Sequence, residues 1–234
     1  LFMCHVAAAA LTEGKNVLYI TMEMAEERIA ERIDANLLNI PIDQLEKLSK
    51  DMFSQKVSQL AKQTNGRLII KEYPTGQAHS GHFRALLNEL KLKKKFEPDI
   101  IFIDYLNICA SSRMKGLAVE FDVPLISATQ TTRSGYSNSD VGLEDTSESF
   151  GLPATADLMF ALVSTEELEQ QGQIMVKQLK NRYNDPTYTK RFVLGIDRSK
   201  MRLFDVDDNQ QTLTDDTPVY DKTEMNKRFE DFKL

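Results

Sequence analysis

The order of the apolar segments is the feature that most constrains the fold of this chain of 234 residues. In its first half, short β-branched runs such as Val17–Thr21 and 99–104 are separated by longer segments with the apolar spacing of helices. Strands separated by helices need crossover connections, which make neighbouring strands parallel. From Leu158 onwards, four strand-like runs follow one another directly, which is typical of antiparallel hairpins. The sequence therefore predicts an α/β fold with a mainly parallel sheet, flanked by helices and extended by antiparallel strands at its C-terminal edge.

The individual elements follow from the same spacing. The predicted helices are 1–13, 24–39, 53–63, 83–96 and 115–121. The predicted strands are 17–21, 68–71, 99–104, 123–129, 158–164, 174–179, 191–196 and 201–206. Gly14 is expected to end the first helix, and the polar segment 131–147 is expected to form a loop.

Charge is unevenly distributed along the chain. The net charge is −6, and the segment 203–234 contributes −5 of it, with nine acidic and four basic residues. The remainder of the chain is close to neutral, so its bulk charge gives no sign of a nucleic-acid partner. One local exception is the segment 177–202, with eight basic and two acidic residues. Its basic residues either form a solvated hairpin or contact a partner.

Other features exclude several classes of protein. No apolar run approaches the roughly 20 residues that span a bilayer, so no membrane association is expected. The two cysteines, Cys4 and Cys109, lie in apolar surroundings and are expected to be reduced and buried in a cytoplasmic protein. His79 and His82 have a spacing that could hold a metal, but no Cys or carboxylate pair accompanies them. A position at the start of a helix is the favoured interpretation of the two histidines.

Polar residues follow three of the predicted parallel strands. Glu23 comes after the first strand, Asp104 closes the third, and Gln130 follows the next one. Parallel sheets bind their ligands at the carboxyl ends of their strands. Two acids and an amide at one such edge are suited to a metal-bound phosphate ester.

Longer strings in the chain resemble the ATPase motor domain of DnaB-type replicative DNA helicases, and most of all the T-even phage branch of that family. The resemblance runs up to about Val206 and rests on the strings LYITMEM at 18–24, YPTG at 73–76, LLNELKLKK at 86–94, DYL at 104–106, GLPATAD at 151–157 and KQLKNRY at 177–183. It implies a RecA-like P-loop NTPase core over residues 1–206 that uses ATP and Mg²⁺. The acidic segment 207–234 is expected to be a separate C-terminal tail.

The resemblance also implies roles for particular residues. Glu23 would activate the attacking water, and Asp104 would hold Mg²⁺ through water. Gln130 would sense the γ-phosphate, while Lys180 and Arg182 would reach into the nucleotide of a neighbouring subunit. Phosphoryl transfer depends mostly on such positioning and charge neutralisation. Simpler interpretations exist for each position: a helix-start acid, a strand-end cap, a loop amide, and a solvated basic strand.

The chain departs from the family pattern in two places. The phosphate-binding loop GxxxxGK[S/T] is absent and is expected to lie just upstream of Leu1. Between Met114 and Lys115 the family has roughly twenty further residues, so a gap is expected there. As it stands, the chain of 234 residues is not expected to hydrolyse ATP alone.

The DNA contacts implied by the resemblance lie in the second central loop, at 133–151. Arg133, Ser147, Glu148 and Gly151 are the expected DNA-binding positions. The family's arginine in this loop is replaced by Ser147, so a grip through backbone amides would survive, whereas a guanidinium contact would depend on Arg133. Such grips follow a strand without reading its sequence.

The resemblance implies an ATP-driven helicase that encircles single-stranded DNA as a homo-hexamer and unwinds the duplex at a replication fork. A primase and a helicase loader are expected partners, and the cytoplasm of the host cell is the expected location if the gene is of phage origin. Two alternatives stay open: another RecA-like ATPase, such as a recombinase or a KaiC-like protein, and a non-enzymatic assembly module that has lost its P-loop.

Overall fold

The residues that the structure describes form two four-stranded sheets, one parallel and one antiparallel. The computed structural model describes residues 1–62, 64–74, 78–105, 111–132, 141–145, 151–184 and 189–207. Within these ranges, the α-helices are α1 (Phe2–Thr12), α2 (Glu26–Leu38), α3 (Ile42–Leu45), α4 (Lys50–Ala61), α5 (Ser80–Lys94), α6 (Ser111–Glu120), α7 (Gly151–Thr155) and α8 (Glu166–Gln170). The strands are β1 (Val17–Thr21), β2 (Leu68–Glu72), β3 (Ile100–Asp104), β4 (Leu125–Ser127), β5 (Leu158–Val163), β6 (Gln173–Asn181), β7 (Arg191–Asp197) and β8 (Arg202–Asp205).

The parallel sheet has the strand order β2-β1-β3-β4. Every residue of β1 is buried, because helices cover both faces of the sheet. One face packs against the alanine-rich α1 and against Ile29 and Ile33 of α2, which lie four positions apart on one side of that helix. The other face packs against α5 and α6 through residues that include Phe83 and Leu117. The two hydrophobic clusters fix the register of the strands whose ends are expected to bind the ligand.

The antiparallel sheet has the strand order β5-β6-β7-β8. It is less completely covered than the parallel sheet. Ala161 and Val163 pack against Val141 on one face, whereas Leu158, Phe160 and Leu162 of β5 are exposed by 42–45%. This sheet therefore has one partly solvated face, as antiparallel sheets commonly do.

The fold class predicted from the sequence is confirmed, with one difference in how the sheets are joined. The antiparallel strands form a sheet of their own and do not extend the parallel one. The strand β4 spans only three residues, so it offers little backbone for a further strand to pair with. The predicted strand 17–21 matches β1, and Gly14 has the left-handed φ of 78° expected after the first helix.

Helix boundaries and short helices differ from the prediction. The helix expected at 53–63 begins at Lys50, because the Ser49 hydroxyl accepts a hydrogen bond from the Met52 amide and caps it. The three helices of four or five residues, α3, α7 and α8, were not predicted, since such short segments show no apolar period. The helix α6 passes without a break through Met114 and Lys115.

Several expectations can be compared with the structure only in part. Cys109, Arg133, Ser147 and Glu148 lie outside the described residues, and so does the acidic tail beyond Asp207. Cys4 is buried and free, as expected. Among the helices of the described ranges, none combines the length and apolar character that a bilayer crossing requires.

The two histidines mark the start of α5, as the sequence indicates. His79 caps the helix by accepting a hydrogen bond from the Gly81 amide at 3.0 Å. His82 in turn accepts one from the His79 amide at 3.3 Å. In the part of the chain that the structure describes, no three residues among His, Cys, Asp and Glu are grouped so that they could hold a metal.

Candidate nucleotide site and basic cluster

Parallel pairing brings the carboxyl ends of three strands to one edge of the sheet. Thr21 at the end of β1 is the register partner of Asp104 at the end of β3. Ser127 at the end of β4 is the partner of Ile103, and its hydroxyl donates to the Ile103 carbonyl at 2.6 Å. The segments that follow these strands therefore leave the sheet side by side, as the strand-end prediction requires.

Glu23 lies in a turn that hydrogen bonds attach to this edge of the sheet. The Thr21 hydroxyl donates to the Met24 carbonyl at 2.8 Å and accepts from the Met24 amide at 3.1 Å. The Met22 amide donates to the Asp104 carbonyl at 2.9 Å, which joins the turn to β3. Glu23 is exposed at the top of the turn, so its carboxylate can reach a ligand beyond the sheet edge.

Asp104 is oriented by a buried tyrosine that the sequence reasoning did not identify. The Tyr19 hydroxyl donates to Asp104 Oδ2 at 3.1 Å, and the Tyr19 ring stacks on Phe102 with 5.6 Å between the ring centroids. Burial, followed by the neighbouring Cys4 thiol and the Asp104 carboxylate, raises the pKa of Tyr19, which keeps the phenol a donor. The alternation of side chains along a strand could have indicated this tyrosine, because Tyr19 lies two positions before Thr21 and so shares its face of β1.

The surroundings of Asp104 fit a hydrated magnesium ion. Asp104 is only half-buried, and no lysine or arginine of the described ranges forms an ion pair with it. Mg²⁺ keeps several water ligands and is usually held by one or two carboxylates together with substrate phosphates. A single oriented carboxylate at the sheet edge meets that requirement. When bound, the cation would neutralise charge on the phosphates.

Gln130 lies three residues beyond β4 and is exposed. The structure thus places Glu23, Asp104 and Gln130 on segments that leave the same edge of the sheet, in the arrangement predicted from the sequence. Their roles in catalysis remain predictions, because side-chain position alone does not assign them.

Lys180 and Arg182 belong to a second group of polar residues, at the end of β6. Arg182 Nη1 binds Asp157 Oδ1 at 2.9 Å, and its Nη2 donates to the Ala154 carbonyl at 2.8 Å. Lys180 Nζ donates to the Pro153 carbonyl at 2.5 Å and to the Ala154 carbonyl at 3.3 Å. Among the described residues, no contact joins this group to Glu23, Asp104 or Gln130.

Lys115 of α6 completes the second group, which we term the basic cluster: Lys115, Asp157, Lys180 and Arg182. Lys115 Nζ binds Asp157 Oδ1 at 2.6 Å. The hydrogen bond from Lys115, with its charge and that of Arg182, holds the pKa of Asp157 below its usual range. Loss of hydration, followed by repulsion from Arg182, lowers the pKa of Lys180. An open depression of about 530 Å³ adjoins the cluster and is lined by Lys115, Gly116, Val119, Ala154, Thr155 and Arg182.

The segment 177–202 is therefore not uniformly a solvated basic hairpin. Lys177 is 7% exposed, and its Nζ donates to the Val141 carbonyl at 2.7 Å. Arg198 is exposed and pairs with Glu169. Sequence reasoning did not identify Lys115 or Asp157 as site residues, because their proximity depends on the packing of α6 against α7. Of the expected DNA-binding positions, only Gly151 lies in the described ranges, where it begins α7.

A parallel sheet with helices on both faces, polar groups at the carboxyl ends of its strands and an attached antiparallel sheet define the fold of RecA-like ATPase cores. A profile of the family "DnaB-like helicase C terminal domain" matches residues 1–192, and the chain belongs to this family. The "DnaB-like replicative helicase" of Enterobacteria phage T4 is 41% identical over 246 residues, which cover 96% of this chain and 50% of the relative. The "Replicative DNA helicase DnaB" of Helicobacter pylori (strain ATCC 700392 / 26695) is 26% identical over 179 residues, 68% of this chain and 36% of the relative.

Solved structures share the fold. A structure described as an ATPase domain superimposes with a TM-score of 0.69 at 18% identity, covering 88% of this chain and 80% of that chain. A structure titled "The Structure Of A DnaB-Like Replicative Helicase And Its Interactions With Primase" gives the same TM-score and identity and covers 88% of this chain and 54% of that chain. The chain spans about half the length of the phage T4 relative that it matches.

Proposed function

We propose that this chain is the motor domain of an ATP-driven replicative DNA helicase that works as a homo-hexameric ring on single-stranded DNA. The observation that carries the proposal is the register Thr21–Asp104 and Ile103–Ser127. It brings Glu23, Asp104 and Gln130 to one edge, where a nucleotide and Mg²⁺ would bind. The 41% identity to the phage T4 helicase supports the same activity.

In this proposal Asp104 holds Mg²⁺ through water, Glu23 orients the attacking water and Gln130 senses the γ-phosphate. Lys180 and Arg182 act on the nucleotide of a neighbouring subunit. The separation of these two cations from the sheet edge supports that division of labour, because their contacts lie on α7 and Asp157. A cation supplied by a neighbour makes hydrolysis depend on ring assembly.

The proposed motor domain comprises residues 1–206, followed by the acidic tail 207–234. The alignment with the phage T4 relative has 246 positions, whereas 96% of 234 residues is about 225. The difference supports a gap of roughly twenty residues, which we place at Met114 and Lys115. Arg133, Ser147, Glu148 and the backbone at Gly151 are the proposed DNA contacts. A primase and a loader are the proposed partners, in the cytoplasm of a host cell.

The test of this proposal is Arg182→Ala in the full-length protein. We expect DNA-stimulated ATP turnover to fall by about 10³- to 10⁵-fold, while nucleotide binding and ring formation persist, because an arginine finger stabilises charge only in the transition state. Steady-state ATPase assays and mass photometry of the ring measure these quantities. The matched control is Arg198→Ala, which removes an exposed arginine that pairs with Glu169 at 3.4 Å.

Mixed rings give a second readout. Subunits carrying Arg182→Ala and subunits carrying Glu23→Gln should recover part of the turnover together, since an intact Arg182 can then face an intact Glu23. Near-normal turnover of Arg182→Ala rings would remove Arg182 from the trans site. No ATP hydrolysis by the wild-type full-length protein would favour the non-enzymatic assembly module.

A further inference from the structure

Asp157 binds two cations through the same oxygen atom. Lys115 Nζ lies 2.6 Å and Arg182 Nη1 lies 2.9 Å from Asp157 Oδ1. The three side chains remain exposed by 36–47%. Ion pairs with this exposure are weak and exchange readily for other charged ligands.

The carboxyl end of α7 supplies further acceptors to the same cations. Lys180 donates to the Pro153 and Ala154 carbonyls, Arg182 to Ala154, and Lys115 to Thr155 at 3.3 Å. The last carbonyls of a helix have no partners within the helix and attract positive charge. The helix α7 therefore holds all three cations of the basic cluster in place.

The position of α7 in the chain connects two proposed sites. Its first residue, Gly151, is the last of the proposed DNA contacts, and the Arg182 amide donates to the Asp157 carbonyl at 2.9 Å just after the helix ends. The helix α7 therefore lies between a proposed DNA contact and the residue that binds Arg182.

We propose that Asp157 is a positioning residue that, together with α7, holds Lys180 and Arg182 within their own subunit until a neighbour's nucleotide phosphates take both cations over. Lys115 stays on Asp157 after the exchange, so no unpaired carboxylate remains. DNA bound at Gly151, the first residue of α7, weakens this hold and favours the release. This inference rests on the proposed function.

The charges of the basic cluster agree with such an exchange. Three cations face one carboxylate, which leaves an excess positive charge that attracts a polyanion such as a triphosphate. Loss of hydration, followed by repulsion from Arg182, lowers the pKa of Lys180, and a phosphate group would relieve the repulsion.

The experiment is Asp157→Asn in the full-length protein. We expect ATP turnover without DNA to rise about two- to five-fold, the range that corresponds to one partly exposed ion pair, while turnover at saturating DNA changes by less than that. The ratio of DNA-stimulated to basal turnover therefore falls. The matched control is Glu169→Gln, which removes an exposed carboxylate paired with Arg198 and should leave the ratio unchanged.

Lys115→Met sharpens the test because its effect should have the opposite sign. Without Lys115, Asp157 would bind Arg182 alone and more tightly, so DNA-stimulated turnover should fall about two- to five-fold. A purely structural role would make both variants slower. The proposal would be overturned if Asp157→Asn changed basal and DNA-stimulated turnover by the same factor. It would also be overturned if Asp157→Asn and Lys115→Met changed ATP turnover in the same direction.

Hydrogen exchange separates this inference from the proposed function. The amides of Ala156 and Arg182 donate to Leu152 and Asp157 carbonyls, so their exchange reports on α7 and its junction with β5. We expect Asp157→Asn to raise exchange at both amides in the absence of ATP and DNA. Unchanged exchange would refute the hold on α7 even in a protein that hydrolyses ATP. Normal turnover of Arg182→Ala would instead refute the trans role, and with it the exchange of Arg182 to a neighbour, while raised amide exchange in Asp157→Asn would still report the hold on α7.

Discussion

The parallel and the antiparallel sheet of this chain differ in how completely other elements bury them and in how the polar groups at their ends are held. The strand β1 is buried at every position, and the groups at its end are fastened by backbone and hydroxyl hydrogen bonds. The strand β5 exposes three large apolar side chains. At the end of β6, Arg182 is held by a partly exposed ion pair and Lys180 by backbone carbonyls. In the proposed function, the site at the parallel sheet binds its own nucleotide and needs fixed geometry, whereas Lys180 and Arg182 act on a neighbour's nucleotide and need freedom to leave their own subunit.

The pKa values of carboxyl groups in the two regions also shift in opposite directions, for Asp34 on one side and for Asp157 and Asp197 on the other. In α2, beside the parallel sheet, burial followed by the charge of Glu31 raises the pKa of Asp34 to about 6. In the antiparallel region, hydrogen bonds from Lys115 and Ser199 lower the pKa values of Asp157 and Asp197 respectively. Asp34 is thus desolvated, whereas Asp157 and Asp197 are hydrogen-bonded in their ionised form.

The largest expected difference between the two halves is in packing. Phe102→Ala in β3 should destabilise the protein by about 3–5 kcal/mol, because Phe102 is fully buried. Phe160→Ala in β5 should cost less than about 1 kcal/mol, since Phe160 is 42% exposed. Urea unfolding of the two variants measures both values. Equal destabilisation by the two substitutions would show that Phe160 is buried in the assembled protein, and would contradict the difference in burial between β3 and β5.

The proposed metal site at Asp104 gives the next largest expected effect. Asp104→Asn should raise the Mg²⁺ concentration that gives half-maximal ATP turnover by about 10- to 100-fold, because an amide holds a hydrated cation less well than a carboxylate. The change in ATP binding should be much smaller. Titration of Mn²⁺ by electron paramagnetic resonance measures the metal affinity without relying on turnover. Unchanged Mg²⁺ dependence would remove Asp104 from the site.

A smaller effect is expected from the tyrosine that orients Asp104. Tyr19→Phe removes a hydrogen bond of 3.1 Å to Oδ2 but keeps the stack on Phe102. We expect Mn²⁺ affinity to fall about three- to ten-fold, which lies within the range of the net contribution of one typical hydrogen bond, about 0.5–1.5 kcal/mol. Tyr183→Phe, at a tyrosine that is 79% exposed, is the matched control. Equal affinities of the two variants would contradict a role for Tyr19 in orienting the carboxylate.

The smallest effect concerns pH. Because the pKa of Asp34 is raised, the folded state binds more protons than the unfolded state between about pH 4 and 6, and stability falls as pH rises through that window. Asp34→Asn should therefore stabilise the protein at pH 7 by roughly 1 kcal/mol, after discounting for solvent around a half-buried carboxyl, and not at pH 4.

Asp197→Asn supplies the contrasting case. The pKa of Asp197 is lowered, so its contribution to stability is present at neutral pH and is lost as pH falls through the folded pKa. We expect this variant to be less stable than the wild type at pH 7. Thermal melts of both variants at pH 7 and pH 4 test the two signs, and the same sign for both at pH 7 would contradict the difference between the halves.

The sequence by itself determined the parallel half of the molecule. The runs 17–21 and 99–104 predict buried strands, because continuous apolar runs rich in β-branched residues pack on both faces of a parallel sheet. Residues that follow parallel strands meet at one edge whatever the details of packing. Glu23, Asp104 and Gln130 could therefore be predicted together from their spacing alone.

Only the tertiary structure decided the contacts between distant segments. Asp157 meets Lys115 at a separation of 42 residues, and Tyr19 meets Asp104 at a separation of 85. The division into two sheets is of the same kind, because the choice of strand partner across a long connection depends on how the elements pack and is not recorded in the local sequence. Local periodicity records which face of an element is buried, but it carries no record of which element will cover that face; that choice is made when the helices and sheets pack.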